Sequence, residues 1–276
     1  MGDARYYAKA ARALLIDPYE GKERILERLS ERRWGTNAWE LYQPAEDWHR
    51  SLHDLLGLRW PCAAGDEFGP LWAELDAELW ARGLPLGRGT FGSWDDAGSA
   101  LALAVYCLVR SRQPERVVET GVGRGVTTRF VLQALARNDH GALWSIDLPT
   151  AVDTALHASI AIAVPEGLRG RWTLCEGSSR RRLPKLLARL GAIDLFVHDS
   201  MHTVRNISFE LERVWPRLTP GGAIVTDDIN LNHAFRRFAE GKAGPRWLVA
   251  EHDDHGRLFG IAVKSEIAQE AAASRR

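Results

Sequence analysis

The chain has 276 residues, with 36 basic and 36 acidic side chains and no net formal charge at pH 7. A protein of this length folds as one large domain with an extension or as two small domains. The balanced charge gives no reason to expect nucleic acid or a membrane surface as a partner. No apolar run reaches the ~18 residues that a membrane helix needs, and no secretory signal pattern is found, so we expect a cytoplasmic protein.

Residues 1–90 are predicted to form short helices and loops, because helical patterns there are often interrupted by proline and glycine. Seven of the 11 tryptophans lie in this region or at its end, at positions 34, 39, 48, 60, 72, 80 and 94. Clustered aromatic side chains most often form a core or a contact surface. The alternatives for this region are a lid that helps to bind substrate and the contact surface of a homo-oligomer.

Residues 91–264 are predicted to form an α/β domain. The segment SWDDAGSALALAVYCLVRS predicts a helix that starts at Ser93, with Asp96 completing a capping box. Helix candidates separate the first five of seven strand candidates: RVVET, ALWSID, RWTLCE, IDLFVHD, GAIVTDD, RWLVAEH and LFGIAVK. This alternation favours a parallel, doubly wound sheet covered on both faces. The polar tail, residues 265–276, is expected to fray.

A glycine cluster follows the first of these strands, in VVETGVGRGVTT. Gly121, Gly123 and Gly125 allow a tight turn and a close approach of the backbone to a ligand. Similar turns bind dinucleotides, so the glycines alone are weak support for any one ligand. Glu119 precedes the turn, and an acid there would repel a pyrophosphate but suits a cationic ligand.

The next two strands also end on polar residues. Asp147 in LWSIDLP can accept hydrogen bonds from both hydroxyls of a ribose. Its alternative role is to cap a turn before Pro149. Ser178 and Ser179, in EGSSR, are small enough to lie beside an adenine, although they also fit the start of a helix.

The fourth and fifth strands end on acids: Asp199 after the fourth, and Asp227 with Asp228 after the fifth. Ligands of open parallel sheets bind beyond the carboxyl ends of the strands, so these carboxylates are expected to converge. Such a cluster would raise at least one pKa unless a divalent cation offset its charge. All-oxygen ligands favour Mg²⁺, with Mn²⁺ or Ca²⁺ as alternatives. In the alternative interpretation each acid merely caps the following helix.

His202 lies three residues after Asp199, and its unperturbed pKa is near neutrality. A neutral imidazole beside the cation could take the proton of a hydroxyl, which makes His202 the candidate general base. His198 is expected to point to the opposite side with a structural role, and His233 is a weaker candidate for the site.

The motifs ETGVGRG, SIDLP and LTPGGAIVTDD resemble those of class I S-adenosylmethionine-dependent methyltransferases over residues 90–263. The resemblance implies a Rossmann-like, seven-stranded sheet with one antiparallel strand near its end. It also implies that Glu119 and the glycine turn hold the amino-acid end of the cofactor, with Thr127 nearby, and that Asp147 binds the ribose. Asp199 is expected beside the cofactor as well as on the metal.

HDSMHT and TDDI narrow the resemblance to the metal-dependent O-methyltransferases. The catechol branch has a lysine as base and usually an Asp-Asn pair, whereas this chain has His202 and an Asp-Asp pair. In this respect it is similar to the macrolide-sugar O-methyltransferases of the tylosin and mycinamicin pathways. The resemblance implies Mg²⁺-dependent methylation of a sugar or polyol hydroxyl, with two neighbouring hydroxyls bound to the metal.

Three other functions remain open at this point. A metal-dependent enzyme with a catechol or phenol acceptor would keep the same fold and metal. A nicotinamide-dependent oxidoreductase would also use a glycine turn, although the GxGxG spacing and LTPGG are unlike it. A non-catalytic binding protein could use the tryptophan-rich region as its interaction surface.

Overall fold

A seven-stranded sheet runs through the computed structural model, which describes residues 11, 14, 15, 17–34, 38–91, 94–96, 98–148, 157–243, 246–253 and 256–266. The helices that we label α1 to α8 are Pro18–Trp34, Trp48–Leu56, Ala63–Ala81, Ala100–Arg112, Val126–Asn138, Ser179–Leu190, Val204–Val214 and Ala234–Phe238. The strands that we label β1 to β9 are Arg88–Phe91, Trp94–Asp95, Arg116–Thr120, Ala142–Asp147, Trp172–Glu176, Ile193–His198, Leu218–Thr226, Trp247–Glu251 and Leu258–Val263.

The large sheet has the strand order β5-β4-β3-β6-β7-β9-β8, and β1 pairs with β2 in a separate small sheet. Strands β3 to β7 pair in parallel, while β9 is antiparallel to both of its neighbours. The predicted fold class, seven strands with one antiparallel strand near the end, is therefore confirmed. The direction of winding reverses between β3 and β6, and such a switch point opens a ligand crevice at the carboxyl ends of the strands.

Both faces of the sheet are covered because consecutive strand residues point to opposite sides. On one face, Val117 of β3 packs into a core with helices α4 and α5. On the other face, Val118 joins a second core formed with α6, α7 and α8. Buried side chains of this size each stabilise the fold by about 1.5–3 kcal/mol, so the sheet is a firm support for its strand ends.

Part of the tryptophan-rich region packs into the first of these cores. Trp48 and Leu52 of α2 and Phe68 of α3 belong to the same buried cluster as α4 and α5. Trp48 packs edge-on against Phe259 of β9, with ring centroids 5.4 Å apart. Trp80, by contrast, is 72% exposed, so the tryptophans do not share one role. None of the described helices combines the length and the apolar character needed to cross a membrane.

Helix α1 is attached to the domain by buried charge. Glu27 is 3% exposed and pairs with Arg180 of α6 and Arg205 of α7 at 2.9 and 2.6 Å. It also accepts a hydrogen bond from Thr203, whose hydroxyl caps the N-terminus of α7. Because Thr203 follows His202 directly, α1 helps to fix the chain beside the candidate base.

The predicted start of helix α4 is wrong. The helix begins at Ala100, and Trp94–Asp95 form strand β2 instead. The Asp96 carboxylate accepts hydrogen bonds from Arg124 Nε at 2.6 Å and from the Gly87 backbone at 3.0 Å, so it is not part of a capping box. Gly98 also disfavours a helix at this point. Ser93 lies outside the described residues.

We predict that Glu27→Ala lowers the free energy of unfolding by about 2 kcal/mol, because it removes the more buried of the two carboxylates that Arg180 and Arg205 share, the other being Glu23, and it removes the acceptor of the Thr203 hydroxyl. Glu31→Ala on the same helix is the control. Among the described residues Glu31 pairs with Arg28 in a partly exposed i,i+3 bridge, so its loss should cost no more than about 0.5 kcal/mol. Urea unfolding of the three proteins measures the difference, and equal losses would contradict the buried attachment.

Candidate active site

The glycine turn connects the end of β3 to α5. Gly121, Gly123 and Gly125 have φ values of 84°, 51° and 84°, a backbone region that glycine adopts without strain. A Cβ at Gly121 would overlap the carbonyl oxygen of Asp199. The turn therefore needs glycine for its conformation, and it also brings the end of β6 close to the predicted cofactor loop.

Asp147, at the end of β4, caps this turn. Its Oδ2 accepts hydrogen bonds from the backbone N–H groups of Val122 and Gly123 at 2.7 and 3.0 Å. Burial raises the pKa of Asp147, and these backbone donors partly offset that effect. Asp147 thus caps the glycine turn. A cap before Pro149 is not tested, because Pro149 lies outside the described residues, and ribose binding by Asp147 stays a prediction.

Glu119 lies at the centre of the crevice and is fully buried. Its Oε2 accepts hydrogen bonds from Ser145 at 2.6 Å and Thr128 at 2.8 Å, whereas its Oε1 has no partner. Burial raises the pKa of Glu119 to about 8, against the effect of the two hydroxyls. The predicted Thr127 is half-buried, and its place near the cofactor stays a prediction.

The two serines after β5 lie at the start of α6. Ser178 occupies the N-cap position, although its side chain makes no capping hydrogen bond. The Ser179 hydroxyl donates to Asn206 Oδ1 of α7 at 3.4 Å. Their predicted place beside an adenine stays a prediction.

The acids at the ends of β6 and β7 converge in part as predicted. Asp199, His202 and Asp227 each offer one ligand atom, and these atoms lie within 4.8 Å of one another. Asp228 is not part of this group, but its Oδ2 lies 3.3 Å from His202 Nδ1. The backbone of Asp228 is left-handed, with φ of 50°, which turns its side chain away from the course of the strand.

Burial and like charge act together on these carboxylates. Burial raises the pKa of Asp199 to about 6, and the neighbouring charge of Asp227 adds to that effect. Burial also raises the pKa of Asp228. Burial acts on Asp227 in the same direction, but the charge and hydrogen bond of His252 hold the pKa of Asp227 well below its usual range.

His202 is the positive group among these acids. Burial lowers its pKa, but the interaction with Asp199 and the charges of Asp228 and Asp227 outweigh burial and raise the pKa to about 9. Its Nε2 lies 3.6 Å from Asp199 Oδ1, is buried, and has no hydrogen-bond partner. In the free protein His202 is therefore a cation that balances the acidic cluster.

His198 points away from Asp199 and toward helix α7, although its ring also lies edge-on to that of His202, with centroids 5.5 Å apart. Its Nδ1 lies 2.7 Å from Glu210 Oε2 of α7, and the Thr120 hydroxyl donates to the same oxygen at 2.6 Å. All three side chains are fully buried. His233 stands at the N-cap position of α8, makes no capping hydrogen bond, and is not part of the acidic group.

The contacts of two residues at the site, His252 and Arg124, were not predicted from the sequence. His252 Nε2 lies 2.7 Å from Asp227 Oδ1, although this histidine carried no signal in the sequence. Arg124, inside the glycine turn, donates to Asp96 and to the carbonyl oxygens of Leu84 and Pro85. The only available signal for His252 was its position at the end of the strand candidate RWLVAEH.

The site fits a polar ligand. Buried side-chain atoms without a hydrogen-bond partner, among the described residues, include four near the acids and the glycine turn: Glu119 Oε1, His202 Nε2, Asp228 Oδ1 and His252 Nδ1. An unsatisfied buried polar atom typically costs about 1–3 kcal/mol. Oxygen and nitrogen atoms of this kind can donate an electron pair to a cationic ligand. Glu119 Oε1 offers a carboxylate oxygen beside the glycine turn.

Residues 118–229 match the family model described as a methyltransferase domain. The matched segment contains the glycine turn, His202 and all the predicted metal ligands. The prediction of a methyltransferase is thereby confirmed at the level of this domain. A search of proteins with curated functions gave no match.

Three solved structures illustrate the fold-level likeness. A provisionally assigned O-methyltransferase from Klebsiella pneumoniae is 20% identical, with 79% of this chain and 96% of that chain covered and a TM-score of 0.49. The O-methyltransferase TomG of tomaymycin synthesis from Streptomyces achromogenes, in complex with S-adenosylmethionine, is 18% identical (70% and 89% covered, TM-score 0.47). An O-methyltransferase from Bacillus cereus with S-adenosylhomocysteine is 16% identical (78% and 96% covered, TM-score 0.48).

We predict that Glu119 makes the free protein less stable as the pH rises. The folded-state pKa of about 8 lies above the ordinary pKa of a glutamate, 4.5. The stability that this raised pKa contributes is therefore complete below about pH 4.5 and is lost as the pH rises through about 8. Glu119→Gln removes this dependence. The difference in unfolding free energy between wild type and variant, measured from pH 5 to 9, should change steadily in favour of the variant.

Glu115→Gln is the control for the loss of one carboxylate, because Glu115 lies just before the same strand with its side chain 61% exposed. The difference in unfolding free energy between Glu115→Gln and wild type should stay nearly constant over this pH range. Parallel stability curves for wild type and Glu119→Gln would show that Glu119 is ionised in the fold.

Proposed function

We propose that the protein is an S-adenosylmethionine- and Mg²⁺-dependent O-methyltransferase that methylates a hydroxyl of a sugar or polyol in a glycosylated natural product or a saccharide. The observation that carries this proposal is the convergence of Asp199, Asp227 and His202 at the ends of β6 and β7. This group lies at the switch point of the sheet, next to the glycine turn.

The cofactor side of the proposal rests on Glu119, Asp147 and the glycine turn. S-adenosylmethionine supplies a methyl group on a positively charged sulfur. The unpartnered Glu119 Oε1 is a suitable acceptor for the ammonium group of its amino-acid end. Asp147 would exchange its backbone hydrogen bonds for those of ribose hydroxyls, and Gly121 lets the backbone approach the ligand closely.

The metal side of the proposal rests on the acid cluster. A bound divalent ion offsets the charge of the carboxylates and makes a nearby hydroxyl easier to deprotonate. Asp199 and Asp227 would hold the ion, joined by Asp228 through its unpartnered Oδ1. Three carboxylates with further oxygen ligands suit Mg²⁺ better than a softer metal.

His202 is the proposed general base. Its Nδ1 is held by Asp228 at 3.3 Å, which fixes the ring and leaves Nε2 to receive a proton. The same carboxylates that raise the pKa of His202 would be the ligands of the ion, so loading the site favours the neutral ring. As the new bond between carbon and the acceptor oxygen forms, the bond between carbon and sulfur breaks and the hydroxyl proton passes to His202. The products are a methyl ether and S-adenosylhomocysteine.

A second role for His202 is supported by the same geometry. Its ring offers one of the three clustered ligand atoms, so it could bind the metal directly. An imidazole ligand would shift the preference from Mg²⁺ toward Mn²⁺, Fe²⁺ or Zn²⁺. The two roles differ in what the loss of the ring does to metal affinity.

The sugar or polyol acceptor rests on the likeness of HDSMHT and TDDI to the macrolide-sugar enzymes. An aliphatic hydroxyl ionises less readily than a phenol, so its methylation depends more on a base. Activity on a catechol that survives the loss of His202 would favour the phenolic alternative. Residues 1–90, which reach His202 through Glu27 and Thr203, are the part of the chain that we assign to acceptor selection.

The proposal predicts methyl transfer from labelled S-adenosylmethionine to members of a panel of glycosylated macrolides, free sugars and cyclitols. Transfer should stop in excess EDTA and return with Mg²⁺. His202→Ala should lower turnover by about 10²–10⁴-fold, the usual contribution of a general base, while the affinity for the cofactor stays the same and Mg²⁺ binds at least as tightly, because a competing positive charge is removed. Calorimetric titrations measure both affinities.

His233→Ala is the control, because His233 lies outside the acidic group and should tolerate the change. Loss of metal binding in His202→Ala would make His202 a ligand and not the base. Full activity in EDTA would refute the metal dependence. The acceptor class would be refuted if the enzyme methylated catechol but no sugar or cyclitol.

A further inference from the structure

His252 is a buried histidine beside the acid cluster that has no part in the proposed chemistry. It is the first residue after β8 and is 3% exposed. Its Nε2 lies 2.7 Å from Asp227 Oδ1, and with a carboxylate as acceptor this nitrogen carries the hydrogen. His252 therefore donates to the same side chain that contributes an oxygen to the group with Asp199 and His202.

A carboxylate that binds a metal has to hold one orientation. It can turn about its Cβ–Cγ bond, and a hydrogen bond to one oxygen fixes the direction of both. Partners of this kind behind a ligand typically account for about 10–100-fold in metal affinity. On the basis of the proposed function, we propose that His252 is a positioning residue, which aims the Asp227 carboxylate at the divalent cation.

The ring of His252 is itself held in place. It packs edge-on against Phe259 of β9 with centroids 5.0 Å apart. The His252 backbone N–H donates to the Arg257 carbonyl at 2.9 Å, across the turn that joins β8 to β9. A Cβ on Gly98 would lie 3.3 Å from His252 Nδ1, tighter than an ordinary contact. The ring therefore has little freedom to move away from Asp227.

The turn that carries His252 is tied to the start of helix α4. Asp253 Oδ2 accepts hydrogen bonds from the Ser99 backbone at 2.8 Å and from the Ser99 hydroxyl at 2.6 Å. Ser99 is the N-cap residue of α4, which packs against the sheet face below. A chain of contacts thus runs from Ser99 of α4 through Asp253 and its neighbour His252 to Asp227.

A purely structural ion pair would make a different prediction. If His252 only neutralised a buried charge, its loss would lower stability without a specific effect on metal affinity. If its positive charge mainly opposed a cation, its loss would tighten metal binding. Only the positioning role predicts weaker metal binding with unchanged cofactor affinity.

The test is a calorimetric titration of Mn²⁺ and, separately, of S-adenosylmethionine into wild type, His252→Ala and His252→Gln. We expect about 10–100-fold weaker Mn²⁺ binding in His252→Ala, with cofactor affinity unchanged and turnover restored at high Mn²⁺. His252→Gln keeps an N–H donor near the position of Nε2 and should recover part of the lost affinity. Unchanged or tighter Mn²⁺ binding in His252→Ala would overturn the proposal.

His53→Ala is the matched control. His53 is also buried, at 1% exposed, but it lies on α2 and its Nδ1 contacts the His49 carbonyl oxygen at 2.7 Å. Its loss should lower the Tm without changing Mn²⁺ affinity. A similar loss of affinity in His53→Ala would show that the effect is general destabilisation, and would also overturn the proposal.

Asp253→Asn gives a second route to the same answer if His252→Ala does not fold. Asp253 is exposed and is not one of the proposed metal ligands, and weakening its hold on Ser99 should reduce Mn²⁺ affinity a few-fold; no change would count against the positioning chain. A wild-type protein that binds no Mn²⁺ would refute the proposed function itself. Wild-type binding that His252→Ala retains in full refutes only the role of His252.

Discussion

Two neighbouring parallel strands, β6 and β7, end on carboxylates that lie close together, with Asp227 buried and Asp199 partly buried, and the rest of the site depends on this concentration of like charge. Asp199 and Asp227 are close enough to share one small ligand, and burial favours their neutral forms. In the free protein two histidines balance them, His252 on Asp227 and His202 between Asp199 and Asp228. A divalent cation would offset the negative charge of these carboxylates in the same way, with two positive charges on one small ion.

The alternation of side chains along β6 and β7 determines which side chains point toward the acid cluster. Side chains alternate along a strand, so His198 and Thr226, which are register partners in β6 and β7, lie on the opposite face from Asp199 and Asp227. Gly121 allows the glycine turn to pack against the backbone of Asp199. The predicted cofactor turn and the acid cluster are therefore parts of one crevice.

The N-terminal region contributes to the same crevice and does not stand apart from the sheet. Helices α2 and α3 share a core with α4 and α5, and α1 is fixed by Glu27 to the residue that follows His202. Tyr42 donates to the Asn232 carbonyl at 3.0 Å, and Asn232 Nδ2 donates to the His202 carbonyl at 3.0 Å. The candidate base is thus held by segments from both halves of the chain.

The features that were predicted from the sequence are local ones. Glu119, the glycines and Asp199 each follow or end an apolar strand, and the ends of parallel strands meet at one edge of a sheet. The contact of Thr128 with Glu119 was not predicted, because successive helix residues point about 100° apart and the sequence does not give the angle at which α5 starts.

Contacts between distant segments could not be predicted in this way. His252 reaches Asp227 only because β9 runs between β7 and β8 in the opposite direction. Asp96 was predicted to be part of a capping box, because the sequence gives no sign of its contact with Arg124, which forms only in the folded chain. Glu27 and Arg205 carry opposite charges like many other pairs in the chain, and nothing in the sequence marks them as partners.

The central claim is that the acids at the ends of β6 and β7 hold a divalent cation. Its most direct test is an anomalous difference map from crystals grown with Mn²⁺ and S-adenosylhomocysteine. The account predicts a single strong peak within coordination distance of Asp199 and Asp227. A map without a peak there, from crystals in which the cofactor product is well ordered in the glycine turn, would contradict it.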